Sequence, residues 1–497
     1  MSEAGGTRDV STVGATAHAR GTLRGAPFLA RLTPEQCERL HGAAVAVLER
    51  TGLLVQEPEA LGLLASAGAR VDGSLVHIPE RLIEWAFGCT PRSVTLYDRH
   101  GAPAIEVGGY RAYFGPGSDC LYCLDHRTGE RRRAVLQDVV EAARVSDACE
   151  NVDFAMSFFT PSDVTAEVAD RHQMEAMLCN TTKPIVYVTL NDPLAHSDVI
   201  AMAETVAGGA AALEAAPTIA CYKNTLFPLV HNAEAVRTLL DLSRRGLPCI
   251  YSPVSTAGTV APMTVAGSAV VVAAGVLAGL VMSQLAREGA PFIAIGWAGE
   301  AMDMRTMVDA YAWPDHRGIL ATLMHHYDLP MFTLGGVSDA KLDDQQAAAE
   351  AALTLMVDAL AGGQLIHDLG YLESAYSGSL TQLVLCDEIV GWIRSLMQPV
   401  DIGDESLALD AIDRVGPGGV FLGDTHTRDH VRGRYRARLF ERDTYQGWLA
   451  AGGHDATARA SRRVDEILAE HEPEPLPDDV RGELRRIVLE AERRVAR

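Results

Sequence analysis

Eight short, almost continuously apolar runs constrain this chain more than any other feature. They lie at 152–159, 184–190, 217–222, 248–254, 291–296, 330–334, 365–367 and 419–422, at intervals of roughly 30–45 residues, with helix-patterned stretches between them. A strand buried on both faces reads as such a run, because water reaches neither side of it. Several runs open with or follow proline, where the missing N–H costs least. Eight βα units predict an α/β chain, a (β/α)8 TIM barrel. A doubly wound sheet is the alternative, but no GxGxxG follows the first run and no phosphate-binding loop is present. The stretch 329–388 shows the unit most clearly. Its run ends in Gly335-Gly336, a polar turn follows, an Ala-rich helix spans about 345–360, and the next run ends in His367-Asp368.

The remainder divides around that barrel. Residues 1–25 are Gly/Ala/Thr-rich and expected to be disordered. Residues 26–136 are expected to form an α-rich N-terminal cap with a β-hairpin. Thr33-Pro34-Glu35-Gln36 reads as a capping box, and Asp125 to Gly129 as the hairpin turn. The barrel is assigned 137–424. A C-terminal helical extension is assigned 425–497, with helices at 428–440, 445–451, 456–470 and 477–495.

Composition narrows the function classes. A formal charge of −22 argues against nucleic acid, since no dense basic patch could displace phosphate counterions. Nine cysteines, an odd number thinly spread, argue against a disulfide framework. Cys120 and Cys123 form a CxxC with no second pair, so no metal site is expected. No signal-peptide core is visible. The apolar stretch near 266–282 is broken by Gly267, Ser268, Gly275 and Gly279 and reads as a buried helix, so the expected location is the cytoplasm, with no membrane partner.

A barrel of this kind carries its chemistry where the strands end. Those positions hold Phe158, Phe159, Thr189, Asn191, Tyr222, Lys223, Asn224, Ser252, Ser255, Trp297, Glu300, Asp303, Gly335, Gly336, Asp339, His367, Asp368, Tyr371 and Glu373. Tyr311, Trp313 and Tyr376 lie in the adjoining loops, in a chain only 6% aromatic. Aromatic faces beside carboxylates suit a quaternary ammonium, which offers no N–H and is held by cation–π contact and charge. The same aromatics could instead pack loops onto the rim. Trp297, Tyr311, Trp313, Tyr371 and Tyr376 are the candidate cage, and Glu300, Asp303, Asp368 and Glu373 the negative field. His367 and Asp368 are an acid/base pair or a substrate anchor. Lys341 lies in a polar loop, where solvation competes with a Schiff-base role.

Several motifs, in order, resemble one family. They are FGPGSD (114–119), LDHRTGERR (124–132), VAPMTVAGS (260–268), GGVSDAKLDDQQAAAE (335–350), ALAGGQLIHDLGYLES (359–374), LVLCDEIVGWI (383–393) and GGVFLGDTHTRDH (418–430). They resemble the trimethylamine methyltransferase family of corrinoid-dependent methyltransferases over about 27–490. The resemblance implies a (β/α)8 barrel that moves a methyl group from an amine to cobalt(I) of a separate corrinoid protein. The chain has no DxHxxG cobalamin-ligand motif, so the corrinoid would arrive on a partner, with no cofactor bound permanently. Family members carry pyrrolysine near a strand end. That position is expected near Thr333 to Val337, where this chain has only ordinary residues. Relatives without pyrrolysine act on glycine betaine and similar quaternary amines, so that substrate class is expected. Catalytic roles then fall to His367, Asp368 and Glu373, and a corrinoid-facing mouth to Gly335, Gly336, Asp339 and Lys341. A pterin-dependent methyltransferase, a lyase using His367 and Asp368, a non-catalytic binding barrel and a homo-oligomer remain open alternatives.

Overall fold

The computed structural model describes residues 28–189 and 192–496; the expected disordered segment 1–25, and Leu190 and Asn191 at a predicted strand end, lie outside them. The centre is a curled parallel sheet of seven strands. They are β1 (Tyr113–Pro116), β2 (Ile185–Tyr187), β3 (Ile219–Asn224), β4 (Cys249–Ser252), β5 (Phe292–Ile295), β6 (Met331–Leu334) and β7 (Leu365–Leu369), in the spatial order β1-β7-β6-β5-β4-β3-β2. This is an α/β fold of the TIM type. Residues 152–159 run between the two edge strands. Asp153 N–H donates to Phe114 O (2.6 Å), Ala155 N–H to Pro184 O (2.9 Å) and Val186 N–H to Ala155 O (2.9 Å).

Helices alternate with these segments: α1 (Leu136–Ala148), α2 (Ala169–Asn180), α3 (Pro193–Ala207), α4 (Ala233–Arg245), α5 (Val265–Ala286), α6 (Ile319–Tyr327), α7 (Gln345–Leu360) and α8 (Leu380–Met397). β5, β6 and β7 are buried at every residue, as their unbroken apolar runs require.

Two expected elements are corrected. Residues 419–422 form no strand. Val420 and Leu422 are 77% and 84% exposed, and the run ends in a short turn, Phe421–Gly423. The strand beside β7 is Tyr113–Pro116, which reads poorly in sequence because Gly115 and Pro116 interrupt it. A helix over 428–440 is also absent. A short helix, Thr425–His430, stops there, and 434–444 holds turns and bends.

Among the described residues, α5 is the one helix long and apolar enough to cross a membrane, and 72% of its most apolar window is buried inside the protein. Helices Pro34–Ala46 and Glu80–Cys89 cover it from outside, and α4 lies beside it. Its glycines have a packing reason. Gly275 leaves room for Pro253 and Gly279 for the ring of Tyr251, so the helix settles directly on β4. The N-terminal helix begins on the expected capping box, with Thr33 and Gln36 exchanging bonds of 2.9 and 3.3 Å. The C-terminal helices Ala456–Glu470 and Asp478–Val495 dock on α1, α8, α2 and α3, fastened by His471 to Asp147 (2.8 Å) and His172 to Glu492 (3.0 Å).

Gly279→Leu drives a side chain into Tyr251. Overpacking of this kind costs about 1–3 kcal/mol. We expect a drop of several degrees in Tm by differential scanning calorimetry, whereas a substitution at solvent-facing Leu353 leaves Tm unchanged.

Candidate active site

The strand ends meet in a buried group of acids and aromatics. β7 ends in His367 and Asp368, which are 3% and 1% exposed. Asp368 Oδ2 accepts a hydrogen bond from the Tyr311 hydroxyl at 3.2 Å, and its Oδ1 lies 3.2 Å from His367 Nε2. His367 Nδ1 lies 2.7 Å from the Thr333 carbonyl, so that nitrogen carries the proton and Nε2 is the acceptor. Its ring stacks on Phe332 at 3.9 Å between centroids and faces Trp297 at 5.5 Å and Tyr222 at 5.6 Å. Tyr371 follows on the next turn and stacks at 5.9 Å on Phe158.

Asp119, on the turn after β1, adds the second acid. Its Oδ2 accepts from Ser118 Oγ at 2.8 Å. Gly117, two residues earlier, is in contact with both Tyr371 and Asp368, and a methyl group there would overlap the phenol and the carboxyl. Asp119, Phe158 and Asp368 all have positive φ (78°, 62° and 82°), unusual for residues with side chains. Three strand ends are therefore held in a costly backbone conformation at one place, as functional sites often are.

The electrostatics are unusual too. Burial pushes Asp368 well above the ordinary carboxyl range. The Tyr311 hydroxyl opposes this, and the neighbouring Asp119 and Glu300 reinforce it. Asp119 is exposed, yet desolvation by the surrounding protein raises it as well, against the Ser118 hydrogen bond. Burial lowers His367 to about 3, against its bond to Thr333. The site thus pairs a neutral imidazole with a carboxyl, Asp368, shifted strongly toward its protonated form, and with a second acid, Asp119, shifted in the same direction. Among the described residues, neither Asp119 nor Asp368 forms an ion pair with lysine or arginine. Arg317, buried beneath, pairs instead with Asp358 at 2.9 Å and donates to the Leu334 and Tyr311 carbonyls. Glu300 lies 2.9 Å from His316 Nε2, without the alignment of a hydrogen bond. Burial alone would lower His316, but Glu300 and Asp315 outweigh it and raise it.

The structure brings Trp297, Tyr311, Tyr371, His367, Asp368 and Glu300 together and sets the other expected residues apart. Trp313 is 56% and Tyr376 46% exposed. Asp303 is at the surface, paired with Arg305 at 2.6 Å. Glu373 is bound by Arg131 at 2.7 Å and by Ser377 at 2.6 Å. Asp339 ties loops together, accepting from Tyr311 N–H (3.1 Å), Ala312 N–H (3.3 Å) and Ser374 Oγ (2.8 Å). Lys341 is exposed, its ammonium on the Asp339 carbonyl. Gly335 packs against Ile366 and Leu355, and Gly336 (φ 85°) against Leu369 and Cys386. Lys223 is turned away from Tyr222 into a cavity lined by His196, Glu234 and Asp241. Asp119 and Gly117 were missed as site residues. Their only sequence signal is the turn FGPGSD, which carries no spacing that marks an acid as functional.

A family model, trimethylamine methyltransferase (MTTB), matches residues 3–496. The chain belongs to that family. It is a methyltransferase. It is 33% identical over 469 residues to the trimethylamine methyltransferase MttB of Desulfitobacterium hafniense (strain DSM 10664 / DCB-2), covering 93% of this chain and 94% of that one. It is 27% identical to a glycine betaine methyltransferase of Desulfitobacterium hafniense (strain Y51), over 92% and 96% of the two chains. The crystal structure of the Methanosarcina barkeri monomethylamine methyltransferase aligns over 91% of this chain and 92% of its own, at 10% identity and a TM-score of 0.49.

In this family member, Gly117 has no room for a side chain beside Tyr371 and Asp368. Gly117→Ala separates Tyr371 from Asp368. A displacement of that size costs on the order of 100-fold in turnover when reacting groups must be aligned. We expect that loss in methyl-transfer assays, with an unchanged far-UV circular dichroism spectrum.

Proposed function

We propose that the protein removes a methyl group from a small quaternary amine of the glycine betaine class and delivers it to cobalt(I) of a separate corrinoid protein. The observation that carries this reading is the pair of Asp368, buried beside Trp297, Tyr222, Tyr311 and Tyr371, and Asp119, exposed next to it, neither with a lysine or arginine ion-pair partner among the described residues. Such a pair calls for a cation from outside. A quaternary ammonium supplies it, and aromatic faces add about 2 kcal/mol or more once the site is desolvated.

The chemistry follows from charge. The substrate nitrogen already bears its positive charge, so losing a methyl cation equivalent releases a neutral tertiary amine and needs no general acid. The corrinoid, as second substrate, supplies the nucleophile. This chain binds the cation, excludes water and turns one methyl toward the mouth. Asp368 gives up its proton as the cation enters and recovers it as the neutral product leaves, with Asp119 adding negative field beside it. His367, fixed by Thr333 and lowered to about 3, is a weak base at neutral pH and orients Asp368. That disfavours lyase chemistry at this pair. Glu300 adds field through His316. Glu373, tied to Arg131, shapes the loop rather than the reaction.

We read residues 152–159 as the stave that closes an eight-stranded barrel around this site, with the N-terminal segment packed outside α5. The corrinoid partner has a matching surface on our reading. Met263, Met304, Met307, Trp313, Leu342 and Tyr376 are exposed apolar side chains on the loops that follow β4, β5, β6 and β7. Contiguous exposed apolar residues mark interaction sites, and methionines adapt to a partner's shape. Trp313 and Tyr376 belong to that face rather than to the cage, and Lys341 stands beside it. Gly335 and Gly336 serve the packing beneath it.

Supplied with its cognate corrinoid protein in the cobalt(I) state, the enzyme should methylate cobalt from a quaternary amine and not from trimethylamine, read by the visible absorbance change. Asp368→Asn should abolish turnover, whereas Glu373→Gln should stay within a few-fold of wild type. Turnover with trimethylamine alone would overturn the substrate class. The sign of the pH dependence is set by the raised carboxyls. Cation affinity should rise with pH while Asp368 titrates and then level off, and Asp368→Asn should remove most of that slope.

A further inference from the structure

The chain between α8 and the helix Ala456–Glu470 has almost no core. Between residues 398 and 438 its short α-helices are Asp404–Leu407, Leu409–Val415 and Thr425–His430, and only Ala411 is buried there. Val400, Ile402, Leu409, Val420 and Leu422 are each more than 60% exposed. A substructure this small and this poorly buried needs a staple, of which a bound metal is one kind. The hydrogen bonds present are sparse. Asp424 accepts from His426 N–H at 2.9 Å and pairs with Arg414 at 3.0 Å, linking two of the three helices. Nothing comparable holds the first, Asp404–Leu407, apart from one contact of His426 Nε2 with the Glu405 carbonyl at 3.2 Å.

Three side chains converge at that gap. His426 and His430 are four residues apart on one helix, so they share a face. Their rings lie parallel, 4.1 Å between centroids with an 18° tilt. Glu405 approaches from the first helix, its Oε1 3.8 Å from His430 Nε2. One ligand atom from each of the three lies within 4.8 Å of the others. Tetrahedral zinc, with bonds of about 2.0–2.2 Å, holds its ligands about 3.4 Å apart. Rotation of these accessible side chains closes the remaining difference. Two imidazoles and one carboxylate favour zinc or a similar borderline cation over magnesium or calcium, and leave one position for water.

We propose that Glu405, His426 and His430 form a site for one zinc-class divalent cation that clips the helix Asp404–Leu407 to the helix Thr425–His430. The site stands apart from the reaction. α8 starts beside the end of β7 and runs back along the barrel, so this segment emerges on the side opposite the strand ends that carry Asp368. The chain expected no metal from its cysteines, and the signal lay instead in His426 and His430 of HTHTRDH.

The test uses the full-length protein with any affinity tag removed, stripped with chelator and titrated with Zn²⁺ alone against a chromophoric zinc indicator. One equivalent should bind. The double variant His426→Ala/His430→Ala should abolish that equivalent, and Glu405→Gln should weaken it by more than about tenfold. Zinc should also slow proteolytic cleavage within 398–438 in the wild type and not in the double variant. Since these residues are solvent-accessible, both variants should keep the wild-type circular dichroism spectrum and Tm in chelator. No tight equivalent in the wild type, or the same binding and protection in the double variant, would overturn the proposal.

Discussion

The burial of the Asp368 carboxyl without an ion-paired lysine or arginine, beside a second acid at Asp119, is the constraint around which the rest of the site is arranged. An isolated charge taken into a protein interior is so costly that the group keeps its proton instead. Asp119 and Asp368 are both shifted in that direction. The surroundings maintain the condition. Arg317 offsets it only in part, being directed to Asp358 and to backbone carbonyls, and His367 is kept neutral by its burial while Thr333 fixes its orientation. Gly117 brings the β1 turn close enough for both acids to share one aromatic-walled space. A positively charged ligand is what such a space lacks, and a ligand that becomes neutral when it reacts is one it can release.

Around that centre, loop-tying groups account for many of the remaining polar residues. Asp339 gathers the 311–312 and 374 backbones, Glu350 accepts from Ser338 Oγ at 2.6 Å and Asp339 N–H at 2.8 Å, and Glu373 joins its loop to Arg131. These residues share the charge and the position of catalytic groups but have every oxygen occupied. Their work is to hold Tyr311 and Tyr371 at fixed places over Asp368.

The βα rhythm was legible because fully buried strands leave continuous apolar runs, and the runs 217–222, 291–296 and 330–334 each overlap a strand. It misled at its last beat. Apolar residues 420–422 lie on the surface, where periodicity carries no information, while the true neighbour of β7 was hidden by Gly115 and Pro116. Within the site, His367, Asp368, Trp297 and Tyr371 could be read from their places at strand ends, and Tyr311 from the loop after the fifth run. Trp313 and Tyr376 occupy equally promising places but point outward, because a loop's facing depends on contacts far away in sequence. Asp119 was invisible for the same reason: its partner lies some 250 residues later, at Asp368, and only the folded sheet brings β1 beside β7.

The most direct test of the central claim is calorimetric. Binding of a quaternary amine substrate is measured without corrinoid at one near-neutral pH, in buffers that differ in ionisation enthalpy. If Asp368 holds its proton in the empty site and gives it up to the cation's field, the apparent enthalpy must vary with the buffer and report net proton release. Asp368→Asn must reduce that release. A substrate that binds tightly with no proton release, equally in the wild type and in Asp368→Asn, would contradict the account.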